Sequence, residues 1–221
     1  GVNYYDGQGF MVAKDSGITS LADLDGATIA VQAGTTTELN LSDYFRKQGM
    51  EFELITFEKN DQASAALEAG RADAVTSDQS QLYALRTKFK EPGNFIMLPE
   101  VISKEPLGPV VREGDDQWLD IVAWTLMVML NAEEYGVTSQ NVDEMKSSST
   151  NPNVKRMLGV EGAVSKGYGL SDDWGYNIIK LVGNYGESFD KHLGASSPLN
   201  IERGYNALWT DGGLQYGMPI R

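Results

Sequence analysis

One short stretch of the chain has the pattern of a strand, a tight turn and the start of a helix. Strand-type residues at 28–31 lead to Gly34 and to three consecutive threonines at 35–37, after which helix-type residues follow. Thr35 and Glu38 have the spacing of a capping box, in which Thr35 caps the first turn and Glu38 reaches back. A strand that runs directly into a capped helix is typical of α/β proteins.

The same alternation of strands and helices continues through residues 1–112. Strand-type segments fall at residues 9–13, 28–31, 53–57, 72–76, 95–98 and 107–111. Strands spaced by helices predict a mostly parallel sheet with helices on both faces. From about Asp115 the pattern becomes mainly helical. We therefore expect an α/β lobe over residues 1–112 and a mainly helical C-terminal region over residues 113–221.

Composition excludes several classes of function. The 221 residues carry a net charge of −13, which argues against nucleic acid or an anionic membrane surface as partner. Cysteine is absent and His192 is the only histidine, so disulfides and thiolate metal sites are excluded. A single histidine also argues against a Ser-His-Asp triad and against a histidine-rich metal site. We expect no cofactor, no metal and no catalysis, and an enzyme remains the weaker alternative.

Two predicted strand ends carry polar residues, and ligands of open parallel sheets bind outside such ends. The turn at 34–37 places threonine hydroxyls and free N–H groups at a positive helix end, which suits a carboxylate. Asp78 follows the strand at 72–76 and opens a helix, and its carboxylate suits an ammonium group. Together they would hold the two charged groups of an α-amino acid. Each also has a plainer interpretation as an ordinary helix N-cap.

Several motifs occur together along the chain. They are GVNYYDGQGF at residues 1–10, VQAGTTTELN at 31–40, LEAGRADA at 67–74, SKEPLGPVVR at 103–112 and GGLQY at 212–216. With these motifs the chain resembles, over essentially all 221 residues, the periplasmic solute-binding proteins of polar amino-acid ABC importers. The branch that it is most similar to is that of the general L-amino-acid-binding proteins.

The resemblance implies a two-lobed periplasmic protein that closes on its ligand like a hinge. It implies an L-amino acid as ligand and an inner-membrane ABC permease as partner. On the family's pattern, Asp78 binds the α-ammonium group, and Thr35, Thr36 and Thr37 form the turn that helps to bind the α-carboxylate. The chain would cross into its second lobe near residues 9–12 and return near residues 107–111.

In length the sequence departs from the resemblance. A family member would carry a further segment of about 100 residues, a common size for a small domain, before Gly1. That segment builds the sheet of the first lobe and supplies an arginine for the ligand carboxylate. The start at Gly1 instead of Met indicates a processed product or a fragment, with a truncated first lobe.

A second interpretation follows from this departure. The apolar residues of the helix at 116–131 nearly encircle it, and such a helix needs burial on most sides. Without the sheet of the first lobe, this surface would be covered by a second copy, giving a homodimer. The alternative to a binding protein is thus a truncated remnant that assembles and binds ligand weakly or not at all.

Overall fold

The computed structural model describes residues 1–162 and 164–220, apart from the side chain of Val164. The chain divides into two compact units: an α/β unit, Tyr5–Pro106, and a helical unit formed by Gly1–Tyr4 together with Leu107–Arg221. The α/β unit is smaller than the predicted lobe of residues 1–112, because residues 1–4 and 107–112 belong to the helical unit.

Two short strands mark the boundaries between the units. β1 (Tyr4–Asp6) and β7 (Glu105–Leu107) pair as a two-stranded sheet, and each boundary falls within one of them. The strand predicted over 107–111 is therefore displaced toward the N-terminus. The pairing with β1 ends at Leu107, and Val110 beyond it is 95% exposed.

A five-stranded sheet with helices forms the α/β unit. Its strands are β2 (Gln8–Ala13), β3 (Ala27–Gln32), β4 (Phe52–Phe57), β5 (Ala74–Asp78) and β6 (Phe95–Met97). Its helices are α1 (Thr36–Gln48), α2 (Asn60–Glu68) and α3 (Gln79–Arg86), with 3-10 turns at Leu21–Leu24 and Pro92–Asn94. The strand order is β4-β3-β5-β2-β6, in which β3 pairs in parallel with β4 and β5, and β2 runs antiparallel to β5 and β6. Four strands thus share one direction, and the prediction of a mostly parallel α/β sheet is confirmed.

Alternation along the strands builds a core on each face of this sheet. On one face Phe10 of β2 and Ile29 of β3 pack with Leu41 and Phe45 of α1, and all four are fully buried. On the other face the neighbouring strand residues pack with α2 and α3. This second core contains Met11, Ala30, Val75, Ala63, Ala66, Leu67 and Leu82. Burying one large apolar side chain stabilises a fold by about 1.5–3 kcal/mol, so each face holds its helices firmly.

The described residues of the helical unit form five α-helices. They are α4 (Asp116–Glu134), α5 (Val142–Ser148), α6 (Pro152–Met157), α7 (Trp174–Val182) and α8 (Tyr185–His192). Shorter 3-10 turns follow at Val164–Tyr168, Gly204–Asn206 and Trp209–Asp211. Across the described residues, no helix combines the length and the apolar character that a membrane span requires. The predicted helical character of this region is confirmed.

The long helix α4 is buried more deeply within its own unit than the sequence predicts. Val128 belongs to a buried cluster that also contains residues of α5, α6 and α7, whereas Met127 and Leu130 belong to another with Tyr185 of α8. The apolar surface that we expected a second copy to cover over 116–131 is therefore already buried in the C-terminal half of the helix. Only its first turns remain open, where Trp118 is 52% exposed.

Candidate ligand-binding site

All four predicted site residues lie at one edge of the five-stranded sheet. Because β3 and β5 are parallel neighbours, their carboxyl ends share that edge, and the antiparallel β2 begins there. The turn after β3 carries Thr35, Thr36 and Thr37, and β5 ends at Asp78. Gln8, the first residue of β2, lies directly opposite Asp78 in the strand pairing.

The threonine turn begins with a glycine that the backbone requires. Gly34 has a φ of 70°, in the left-handed region that other residues enter only at a cost. Thr35 is then the N-cap of α1: its hydroxyl accepts from Glu38 N at 3.3 Å and donates to Gln32 O at 2.8 Å. Glu38 reaches back as predicted, although its Oε2 accepts from Gly34 N, at 2.7 Å, one residue before the expected N–H.

Thr36 and Thr37 differ from Thr35 in having unused hydroxyls. Neither hydroxyl forms a hydrogen bond with any other described residue, and Thr36 is exposed while Thr37 is partly buried. Both residues stand in the first turn of α1, where backbone N–H groups lack partners within the helix. Two hydroxyls and two N–H groups at a positive helix end make this turn a place for an anion.

Asp78 occupies an N-cap position without capping its helix. Its side chain makes no cap hydrogen bond to α3, and no other described residue donates a hydrogen bond to this carboxylate or forms an ion pair with it. The plainer interpretation of Asp78 as an ordinary N-cap therefore fails on geometry. This partly buried carboxylate is therefore free to bind a group outside α3.

The electrostatic surroundings of Asp78 are negative. Burial raises its pKa above the ordinary range for aspartate, and the nearby charges of Asp6 and Glu105 raise it further. Asp6 accepts hydrogen bonds from the backbone N–H and the hydroxyl of Ser80, and Glu105 accepts one from Ser103 Oγ at 2.7 Å. A cation placed at Asp78 would relieve both the burial penalty and the repulsion.

Gln8 is a member of this edge that the sequence did not single out. It is 1% exposed, and its Nε2 donates to Thr37 O and to Thr76 Oγ1, each at 3.0 Å. A glutamine before an apolar run carries little signal on its own. The one signal for Gln8 is its pairing opposite Asp78, which was already a candidate residue.

The edge therefore offers an anion-binding turn on α1 and a cation-binding carboxylate at the end of β5, with Gln8 bonded to both segments. No group of three or more His, Cys, Asp or Glu within residues 1–162 and 164–220 suits a metal ion. This arrangement can bind a zwitterion without any reacting group.

Two known proteins match this chain over its whole length. The general L-amino acid-binding periplasmic protein AapJ of Rhizobium johnstonii is 55% identical over 222 residues, which cover 100% of this chain and 65% of that protein. The glutamate/glutamine/aspartate/asparagine-binding protein BztA of Rhodobacter capsulatus is 47% identical, with the same two coverages of 100% and 65%. Residues 5–110, which contain the whole α/β unit, match the family described as NMT1/THI5 like.

A solved structure extends the agreement to three dimensions. The ABC transporter periplasmic binding protein from Brucella ovis, described with glutathione bound, is 54% identical and superposes with a TM-score of 0.94. The match covers 100% of this chain and 70% of that one.

The chain belongs to the periplasmic binding proteins of amino-acid ABC transporters, a family that binds solutes and does not catalyse reactions. The resemblance noted from the sequence motifs is thereby confirmed. The chain spans about 65% of the length of the curated relatives that it matches.

Proposed function

We propose that this chain binds an L-amino acid as the substrate-binding component of an ABC amino-acid importer in the periplasm. The α-ammonium group lies at Asp78 and the α-carboxylate at the turn of Thr35, Thr36 and Thr37. An inner-membrane ABC permease receives the ligand. The observation that carries the proposal is the Asp78 carboxylate, which opens a helix yet makes no hydrogen bond to it.

At the carboxylate end of the ligand, the three threonines have different roles. The Thr35 hydroxyl is engaged on both sides, with Glu38 N and Gln32 O, so it shapes the turn. The N–H groups and hydroxyls of Thr36 and Thr37 then bind the ligand oxygens. Charge-assisted hydrogen bonds of this kind are about twice as strong as neutral ones, so two or three of them anchor a carboxylate.

At the ammonium end, Asp78 supplies the counter-charge and its acidic neighbours add to it. Asp6 and Glu105 both raise the pKa of Asp78, so the local potential favours a cation over an anion. The negative end and the positive turn fix the direction of the ligand. A compound that lacks either charged group should bind much more weakly.

Calorimetry with matched ligands tests the proposal. L-glutamine and L-glutamate are titrated into the full chain beside glutarate, which lacks the ammonium group, and L-glutamine amidated at its α-carboxylate. We expect heat only with ligands that carry both charged groups. Equal affinity for glutarate and L-glutamate would exclude Asp78 as the ammonium site, and no heat with any amino acid from folded protein would overturn the function.

The Brucella ovis relative suggests a second class of ligand, because its structure is described with glutathione bound. The γ-glutamyl residue of glutathione keeps a free α-ammonium and α-carboxylate on one carbon, the same pair of charges as an amino acid. We expect the site to accept this residue in the same way. Glutathione should then bind, whereas the dipeptide Cys-Gly, whose two charges lie on different residues, should not.

Association between copies is a different candidate function, favoured by the open first turns of α4. Trp118 is 52% and Leu119 is 47% exposed, at consecutive positions of α4. A dimer in which two copies cover these side chains accounts for their exposure. Sedimentation of the wild-type chain across micromolar concentrations should show a dimer that Trp118→Ser disrupts. A monomer at every concentration would remove this candidate and leave ligand binding untouched.

A further inference from the structure

We infer that Gln8 is a positioning residue of the ligand site, whose side-chain amide ties the threonine turn to the strand that ends at Asp78. The inference rests on the proposed function, because it explains how the two ends of that site keep a fixed separation. It assigns to Gln8 no contact with the ligand.

The side chain of Gln8 joins two segments that lie far apart in sequence. Its Nε2 donates to the backbone oxygen of Thr37, in the first turn of α1, and to Thr76 Oγ1, two residues before Asp78. Alternation along the strands places Gln8, Thr76 and Asp78 on the same face of the sheet as α1, since Phe10 and Ala74 pack there. The amide is therefore a cross-link between the two halves of the site.

The orientation of this amide is determined by its partners. Thr37 O can only accept, and Thr76 Oγ1 gives its own proton to Gly9 O at 2.7 Å, so it also accepts from Gln8. Only the NH₂ end of the amide satisfies both. The oxygen Oε1 is consequently left buried, with no hydrogen-bond partner among the described residues.

That unpaired oxygen argues for a role in geometry instead of stability. A buried acceptor without a partner lowers stability, whereas an apolar residue of the same shape at this position would carry no such cost. The chain nevertheless has a glutamine there. What the glutamine provides, and an apolar residue does not, is a fixed distance between Thr37 and Thr76.

The backbone of Gln8 is itself held in place. Its N–H donates to Ser103 Oγ, and its carbonyl accepts from Ile102 N, both at 3.0 Å. The amide thus extends from a fixed point. Because the ammonium and carboxylate of an α-amino acid are attached to one carbon, a small relative shift of their two binding groups is costly, and such sites depend on supporting residues of this kind.

The decisive variant is Gln8→Met, which keeps length and burial and removes both the donor and the unpaired oxygen. Affinity for L-glutamine is measured by calorimetry. Amide hydrogen exchange at Glu38 and Leu39, whose N–H groups are hydrogen-bonded to Thr35, is measured by NMR in the free chain. We expect about tenfold weaker binding, equal to about 1.4 kcal/mol. We also expect faster exchange in the first turn of α1 and a nearly unchanged thermal midpoint. The control is Gln48→Met, the same change at the exposed end of α1.

Two variants of Thr76 separate positioning from general stability. Thr76→Ser keeps the hydroxyl that Gln8 binds and should retain wild-type affinity and exchange, whereas Thr76→Val removes it and should fall between wild type and Gln8→Met. If affinity across these variants simply follows their thermal midpoints, Gln8 has only a structural role and the inference is wrong.

Failure of this inference can be told apart from failure of the proposed function. A wild-type chain that binds no amino acid overturns the proposed function, while exchange in the free chain still shows whether Gln8 holds the turn. If the wild-type chain binds L-glutamine, and Gln8→Met shows the same affinity and the same amide exchange, then the inference alone is wrong.

Discussion

Two junctions of the same sheet begin a helix directly after a strand, and they differ in how the helix start is satisfied. At the β3–α1 junction, Thr35 accepts from Glu38 N, and Glu38 in turn accepts from Gly34 N, so the cap is closed within the turn. At the β5–α3 junction, Asp78 stands in the same N-cap position and makes no such bond. Residue types that cap helices also bind ligands, and the Asp78 carboxylate is not used by its own helix.

The two junctions also differ in sign. The start of α1 presents unpaired N–H groups and hydroxyls, which favour a negative group. The end of β5 presents a carboxylate whose pKa is raised by burial and by Asp6 and Glu105, and which favours a positive one. The zwitterion site that we propose therefore uses two strand–helix junctions, of which only one caps its own helix.

The largest expected effect is on ligand binding at the uncapped junction. Asp78→Ala removes the only counter-charge proposed for the ammonium group and should weaken amino-acid binding by about 2–5 kcal/mol. This corresponds to about 30- to 5,000-fold in dissociation constant, measured by calorimetry. The matched control is Asp61→Ala, an exposed carboxylate paired with Lys88, which should leave affinity unchanged. Equal losses in the two variants would contradict a specific role for Asp78.

The next effect is on the turn that precedes the capped junction. Gly34→Ala introduces a side chain at a φ of 70°, with open space around the new Cβ, so the cost is one of backbone conformation alone. We expect a loss of about 1–2 kcal/mol in the free energy of unfolding, measured with urea. Gly93→Ala is the control, because that glycine has equally open surroundings without a positive φ. Little difference between these variants would mean that the turn relaxes freely.

A smaller effect compares the two N-cap residues directly. Thr35→Ala removes a cap hydrogen bond and should cost about 1 kcal/mol of stability. Asp78→Ala removes none and should leave the stability of the free chain unchanged or slightly improved, since a partly buried charge is lost. Urea unfolding of both variants tests this contrast. A loss at Asp78 as large as that at Thr35 would show that its carboxylate stabilises α3 after all.

The smallest expected effect is the pH dependence of the free energy of unfolding that Asp78 contributes. Because the pKa of Asp78 is higher in the folded than in the unfolded chain, the folded state holds its proton more tightly between the two values. The contribution of Asp78 to the free energy of unfolding therefore falls as pH rises through this window, and stays lower above it. Thermal midpoints between about pH 3 and pH 7, the range of carboxylates, should show this decline in wild type relative to Asp78→Asn.

The same shift in pKa predicts how ligand binding depends on pH. An ammonium group binds the ionised carboxylate, so affinity should weaken as pH falls through the raised pKa of Asp78. Calorimetry with L-glutamine at several pH values measures it. Affinity that is flat across the carboxylate range would place the ammonium group elsewhere.

Much of the fold could be predicted from local signals. The helix that the threonine turn predicts is observed at Thr36–Gln48, with Gly49 in the left-handed conformation as its C-cap. Strand and helix periodicities in the first half predicted the sheet. The return strand was misplaced because its pairing with β1 depends on residues about one hundred positions away. The sequence predicted that α4 needs burial but not that its own unit supplies it, since this depends on contacts with α7 and α8.

The sequence by itself determined the alternation of strands and helices, the capped turn at Thr35 and the position of Asp78 at the end of a strand. These features depend on neighbouring residues, whose spacing is visible in one dimension. Only the tertiary structure decided that Thr35 is committed to its helix while Asp78 is not, and that Gln8 bonds to Thr37 and Thr76. Such assignments depend on which distant groups meet in space and which are left unpaired.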